Sequence, residues 1–117
     1  MEKYINLKVW KNSHRFILEL YTITRKFPSD ERFGLTQQMR RSAVSIAANI
    51  VEGSKRRSDR DYAHFLNIAE GSLEEVKYYL RLSKDLLYIN DVVFEKLYSL
   101  AEEIGRLLYG FIKKLRT

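Results

Sequence analysis

Cysteine is absent from the 117-residue chain, which excludes a disulfide framework and any thiolate metal site. The absence agrees with a reducing cytosol. Proline occurs once and glycine five times. So few turn formers in a chain of this length mean long helices. No apolar run approaches the roughly 20 residues that a membrane span needs. The start, Met1-Glu2-Lys3-Tyr4-Ile5-Asn6, has no apolar stretch behind a basic end and so is not a signal peptide. The expectation is a cytoplasmic protein with no membrane partner. No segment alternates apolar and polar residues over strand length, so no strands are predicted.

What is present suits one all-α domain over residues 1–117. Hydrophobic residues make up 45%, enough for a core, and charged residues 31%, enough to solvate its outside. The spacing predicts four helices. The first runs from about Leu7 to Lys26, with a seam of Leu7, Trp10, His14, Ile17, Tyr21 and Thr24 and a second stripe of Phe16, Leu20, Ile23 and Phe27. Phe27-Pro28 closes it. The second runs from Leu35 to Glu52 or slightly beyond, with Leu35, Met39, Ala43, Ile46 and Ile50 inward and Gly53 as a C-cap. The third is capped by Ser58 and carries a heptad-type seam from Tyr62 through Leu66, Ala69, Leu73, Val76, Leu80 and Ser83 to Leu87. The fourth follows Asn90-Asp91 and packs Phe94, Leu97, Ala101, Ile104, Leu108, Phe111 and Leu115. Short connections make neighbours antiparallel, so the expected fold is an up-down-up-down four-helix bundle.

Catalysis would need a nucleophile, a base or a metal. Only two histidines exist. His14 falls in the first apolar seam and reads as a seam residue with a satisfied nitrogen. His64 follows Asp61 by three, but a di-iron bundle needs two Glu-x-x-His pairs and two further Glu. No glycine belongs to a phosphate-binding loop. Neither an enzyme, a cofactor, a metal nor a small-molecule substrate is expected.

Two polar features stand out. Gln38, Ser42, Ser45, Asn49 and Glu52 form a polar line at helical spacing on the second helix, flanked by Arg41 and Arg56. A turn near Arg57 would set Ser42 level with Ser72, and Arg41 level with Leu73 and Glu74. Pairing of Arg40 or Arg41 with Glu70, Glu74 or Glu75 is then expected. The line reads either as a hydrogen-bond network fixing helix register or as a subunit contact or ligand groove.

The second feature is charge. The chain carries a formal +6, with a pI near 9.6. A surplus of this kind suits a polyanion partner such as RNA. Lys55, Arg56, Arg57 and Arg60 crowd the second turn, and Lys113, Lys114 and Arg116 end the chain. Up-down topology brings both clusters to one pole. The plainer account is that Lys and Arg favour helix C-termini. Neither cluster is interleaved with the aromatics that would suggest base stacking.

The run from Phe27-Pro28-x-x-Glu31-x-Phe33-Gly34-Leu35 through Gln38-x-Arg40-Arg41-Ser42-Ala43-Val44-Ser45-Ile46 to Asn49-Ile50-x-Glu52-Gly53 resembles the signature of a known family. It is that of the four-helix bundle proteins encoded in intervening sequences of bacterial large-subunit (23S) ribosomal RNA genes. Val9-Trp10 and Phe65-Leu66-x-Ile68-Ala69-x-Gly71-Ser72-Leu73-x-Glu75 also fit. The resemblance implies a closed bundle and homo-oligomers, often pentameric rings. A distant branch of similar fold is an accessory factor to the reverse transcriptase of diversity-generating retroelements and binds nucleic acid. The family brings no catalytic residues. Its motif points to Arg40, Arg41, Ser42, Ser45, Asn49, Glu52 and Gly53. The expected role is an oligomeric module binding RNA or a nucleoprotein through the basic pole, or else a protein-interaction scaffold.

Overall fold

Two of the four helices start at side-chain caps that the sequence marks. Ser58 Oγ accepts from the Asp61 amide at 3.1 Å, and Asn90 Oδ1 accepts from the Val93 amide at 2.9 Å. Each satisfies a donor that the first helical turn leaves without a partner. The computed structural model describes residues 3–117, and its main helices are α1 (Lys8–Thr24), α2 (Leu35–Ser54), α3 (Asp59–Asp85) and α4 (Asp91–Leu115). Short 3-10 turns cover Lys3–Asn6 and Ser29–Glu31. Among the described residues there is no strand.

The start of α2 is capped from a distance. Gly34 has no side chain, and Glu31 Oε1 accepts from the Leu35 amide at 3.1 Å. A Cβ on Gly34 would come 2.9 Å from that oxygen, so the glycine lets the carboxylate reach the helix end.

The helices form an antiparallel bundle, a rod of 43 × 23 × 22 Å. α1 packs on α2 and α4, and α3 packs on α2 and α4, with the α2–α3 pair in most extensive contact. Ala43, Ala69 and Ala101 are fully buried and let the backbones approach. Around them Phe16, Leu20, Met39, Ile46, Leu66, Leu73, Leu97, Ile104 and Leu108 fill the centre. Burying side chains of this size yields about 1.5–3 kcal/mol each. Ser83 interrupts the α3 seam at little cost, because its hydroxyl donates back to the Tyr79 carbonyl at 2.8 Å. Ser13 and Thr24 do the same to Val9 and Leu20.

Three expectations are corrected. The inward face of α1 is Val9, Ser13, Phe16, Ile17, Leu20 and Thr24. Trp10 and Tyr21 are only half-buried, and His14 is exposed, its ring stacked on Trp10 at 5.0 Å. Both stripes otherwise face the core: Ile17 and Thr24 of the first and Phe16, Leu20 and Phe27 of the second are buried, Leu7, Trp10, Tyr21 and Ile23 pack at their edge, and only His14 falls outside. Second, α3 stops at Asp85, short of Leu87. The Leu87 amide bonds to Lys84 O and the Tyr88 amide to Ser83 O, a Schellman ending in which Leu87 takes φ 66°. Leu87 is therefore 88% exposed and outside the seam. Third, Gly53 lies inside α2 and Lys55 is the C-cap residue. A Cβ there would meet Tyr62 Cδ1 at 2.8 Å and Phe65 Cβ at 3.0 Å. The glycine serves the close approach of α3.

Candidate nucleic-acid interface and helix-pairing network

The pole at the α2–α3 turn gathers four helix ends: the N-terminus of α1, the C-terminus of α2, the N-terminus of α3 and the C-terminus of α4. Lys55, Arg56, Arg57, Arg60, Lys113, Lys114 and Arg116 are all exposed. Among the described residues none of the seven makes an ion pair. Arg60 from α3 and Arg116 from the end of α4 line one hollow of about 470 Å³, with His64 and Asn67 beside them. Lys114 turns to an adjoining groove of about 550 Å³ that it shares with Lys8 and Asp59. Arg56 lies over the Phe65 ring, 5.5 Å from its centroid. Lys55, Arg57 and Lys113 line neither hollow. The two runs lack aromatics in sequence, yet the fold supplies Phe65 one helical turn along α3. Asp59 and Asp61 sit at the positive end of the α3 dipole, where they favour the helix start.

The polar line on α2 divides into a bonded middle and free ends. Ser42 Oγ donates to Glu75 Oε1 at 2.6 Å, and the Tyr79 hydroxyl donates to the same oxygen at 3.0 Å. The Ser45 and Ser72 hydroxyls lie 2.8 Å apart. Asn49 Nδ2 donates to the Ser45 carbonyl at 2.8 Å and to its hydroxyl at 3.0 Å. Gln38 and Glu52 are exposed and make no side-chain hydrogen bond among the described residues. Burial and the neighbouring Glu75 carboxylate push the Tyr79 hydroxyl above its ordinary value.

The register differs from the expected one by three residues, since Ser42 faces Glu75 and Ser45 faces Ser72. The chain turns around Ser58, which caps α3 from outside the helix. The expected arginine–carboxylate pairs between α2 and α3 do not form. Arg40 turns the other way, to α1, where Nε donates to Thr24 Oγ1 at 2.9 Å and a terminal nitrogen donates to the Tyr21 carbonyl at 3.3 Å. Its guanidinium lies 4.4 Å from the Tyr21 ring centroid. Arg41 is exposed, lining a hollow beside Ser42, Ser45 and Glu75 without an ion pair among the described residues. Glu74 pairs with Lys77 on its own helix at 3.4 Å, and Glu70 lines the α3–α4 groove.

At the opposite pole the α1–α2 and α3–α4 connections meet. The Tyr88 hydroxyl donates to Glu31 Oε2 at 2.8 Å, and the Phe27 and Tyr88 rings lie 5.2 Å apart. Phe33, Leu87 and Val92 there are 77%, 88% and 78% exposed. Sequence reasoning misses the Tyr88–Glu31 tie, whose partners are 57 positions apart. In the sequence Glu31 stands out only as part of a motif. Among the described residues no three His, Asp or Glu side chains gather as a metal set would, and no helix is long and apolar enough to cross a membrane.

Comparison with known proteins places this bundle. The sequence pattern of the family described as "23S rRNA-intervening sequence protein" matches residues 5–110. A crystal structure of a protein of unknown function from the S23 ribosomal protein family of Bacteroides thetaiotaomicron superposes with a TM-score of 0.83. It is 30% identical, over 90% of this chain and 98% of that one. No curated protein matches. Match and superposition extend over nearly the whole bundle, and the chain belongs to the 23S rRNA-intervening sequence protein family.

Proposed function

We propose that this protein is a non-enzymatic module that works as a homo-oligomer and binds RNA through its basic pole. The observation that carries the reading is the shared hollow of Arg60 and Arg116, residues 56 positions apart that bring the two basic clusters to one surface. Seven exposed cations without ion-pair partners among the described residues, against Asp59 and Asp61 at the start of α3, give a polyanion a dense positive field. Binding is favoured over catalysis because the two histidines lie apart. His14 stacks on Trp10, and His64 lines the pole hollow.

A salt series with structured RNA tests the reading. The logarithm of the affinity should fall linearly with the logarithm of salt, by about 0.9 per duplex phosphate neutralised. Reversing Lys55 and Arg56 to Glu should weaken binding at least tenfold at low salt and reduce the slope. Absence of binding at low salt, or a flat dependence, would sink the proposal.

A scaffold role without nucleic acid is the second reading. It is favoured by Phe33, Leu87 and Val92, which expose apolar surface at the far pole. Light scattering decides whether copies assemble, and a strict monomer at micromolar concentration removes the oligomer from both readings.

A further inference from the structure

We infer that the groove between α1 and α2 is a second binding site, which takes an unpaired stretch of RNA. The inference rests on the RNA reading of the pole but concerns a different surface, about 20 Å up α2 at 1.5 Å per residue from Ser54 to Arg41.

Charge singles out this side of the molecule. Residues 1–58 hold twelve Lys and Arg against five Asp and Glu, whereas residues 59–117 hold nine against ten. The whole surplus therefore belongs to α1, α2 and the turn after them. Their groove, of about 650 Å³, is lined by Arg32, Arg40 and Arg41 with Tyr21 and Phe33, and by no carboxylate. Arg32 and Arg41 are exposed and make no ion pair among the described residues.

The groove is also prepared for flat, anionic ligands. Arg40 is held before any ligand arrives, by Thr24, by the Tyr21 carbonyl and by the Tyr21 ring. Its remaining N–H donors have no partner among the described residues, and a fixed guanidinium loses little freedom on binding phosphate. At the rim Phe33 is 77% exposed, with the Arg32 guanidinium 5.1 Å from its centroid. An exposed ring beside arginines in a cationic groove is the arrangement on which unpaired bases stack. A duplex would present phosphates and 2′-hydroxyls and keep its bases from Phe33.

A second copy of the chain fits this groove less well. The α3–α4 groove opposite carries Glu70, Glu74 and Glu102, but Lys77 and Arg106 lie among them. Glu74 is paired with Lys77, and Arg106 is paired with Glu103. Only Glu70 and Glu102 stay unpaired there among the described residues, two carboxylates against three arginines.

Fluorescence anisotropy tests the inference with two probes. One is a labelled single-stranded RNA without self-complementarity, and the other is the blunt duplex it forms with its complement. Phe33→Ala should weaken single-strand binding about tenfold, the range of a single base stack, with an unchanged salt slope and unchanged duplex binding. Arg41→Glu should lower the single-strand slope by about 0.7 for each phosphate it no longer neutralises. Lys55→Glu with Arg56→Glu should weaken both probes. Circular dichroism should show full helix content in each variant, since all four side chains are exposed.

If both groove variants bind the single strand within about twofold of the parent while the pole variant does not, the groove inference falls and the pole reading stands. If the groove variants lose the single strand while the pole variant binds both probes normally, the pole reading falls and the groove stands. A change of particle mass in either groove variant makes the groove a contact between copies and overturns the inference. Absence of binding to either probe overturns both.

Discussion

At the scale of single residues, two glycines make opposite demands. Gly53 faces Tyr62 and Phe65 at distances no Cβ tolerates, whereas a Cβ on Gly71 would meet nothing within 4 Å. Alanine gains up to about 1 kcal/mol over glycine inside a helix, while overpacking costs about 1–3 kcal/mol. Gly71→Ala should therefore raise the urea midpoint, and Gly53→Ala should lower it, with a net loss of stability of ~1 kcal/mol. Equal shifts would show that α3 does not crowd Gly53. Leu87 is the third case. It holds φ 66° with 88% of its surface exposed, so it bears left-handed strain without the return of burial. Leu87→Gly should stabilise the fold by about 1 kcal/mol, read as a higher midpoint at an unchanged m-value.

At the scale of elements, the α2–α3 pair is fixed by polar rungs set among alanines. A double-mutant cycle on Ser45→Ala and Ser72→Ala should return a coupling of about 1 kcal/mol. Zero coupling would mean that water replaces the bond without loss. The far pole has its own tie. The Tyr88 hydroxyl is raised above the ordinary tyrosine value chiefly by its hydrogen bond to Glu31, and burial adds to this. The folded state then favours the protonated phenol. The stabilisation is complete below the unfolded value near ~10 and is lost as pH rises through the folded one. Urea midpoints at roughly pH 8 and 10.5 should fall less in Tyr88→Phe than in the parent. Tyr62 and Tyr79 also titrate upward-shifted, so the dependence should become shallower without vanishing. Helix number, the two side-chain caps and most of the core of α2, α3 and α4 are legible in the sequence, because period and cap chemistry are local. On α1 the two stripes are legible too, but the exposure of His14 and the burial of Ser13 are not, since the edge of a wide face is set by what it packs against. Nor is the register of α2 on α3, which depends on how many residues the turn consumes. Arg40 escapes sequence reasoning for a related reason: a long side chain at a helix edge can serve either neighbour, and Thr24 with Tyr21 outcompetes the glutamates. The basic pole is legible from topology alone. The Arg32–Phe33–Arg41 groove is not, because its parts lie on both sides of the α1–α2 connection and carry no shared spacing.

At the scale of the whole molecule, the rod is polarised lengthwise and across. One end carries exposed cations and the other exposed apolar groups, while one side holds the entire charge surplus. Such a particle should orient in a polyanion's field before contact. Its association rate with RNA should drop steeply with salt while its dissociation rate changes less, which stopped-flow binding at two ionic strengths would show. Similar salt dependence in both rates would argue against steering.

The rungs between α2 and α3 also bear on how the chain reaches this state. Only Lys55–Ser58 separates the two helices, so their contacts close short loops, whereas α1 meets α4 only after nearly the full chain is ordered. Low contact order favours early formation, and the α2–α3 hairpin is the natural folding nucleus. In chevron measurements Ile46→Val on α2 should slow folding, and Ile112→Val on α4 should mainly speed unfolding. Both side chains are buried, so each change is large enough to read. The reverse pattern would place the nucleus on the α1–α4 side. The serine ladder and the buried alanines would then be late locks on a bundle assembled elsewhere.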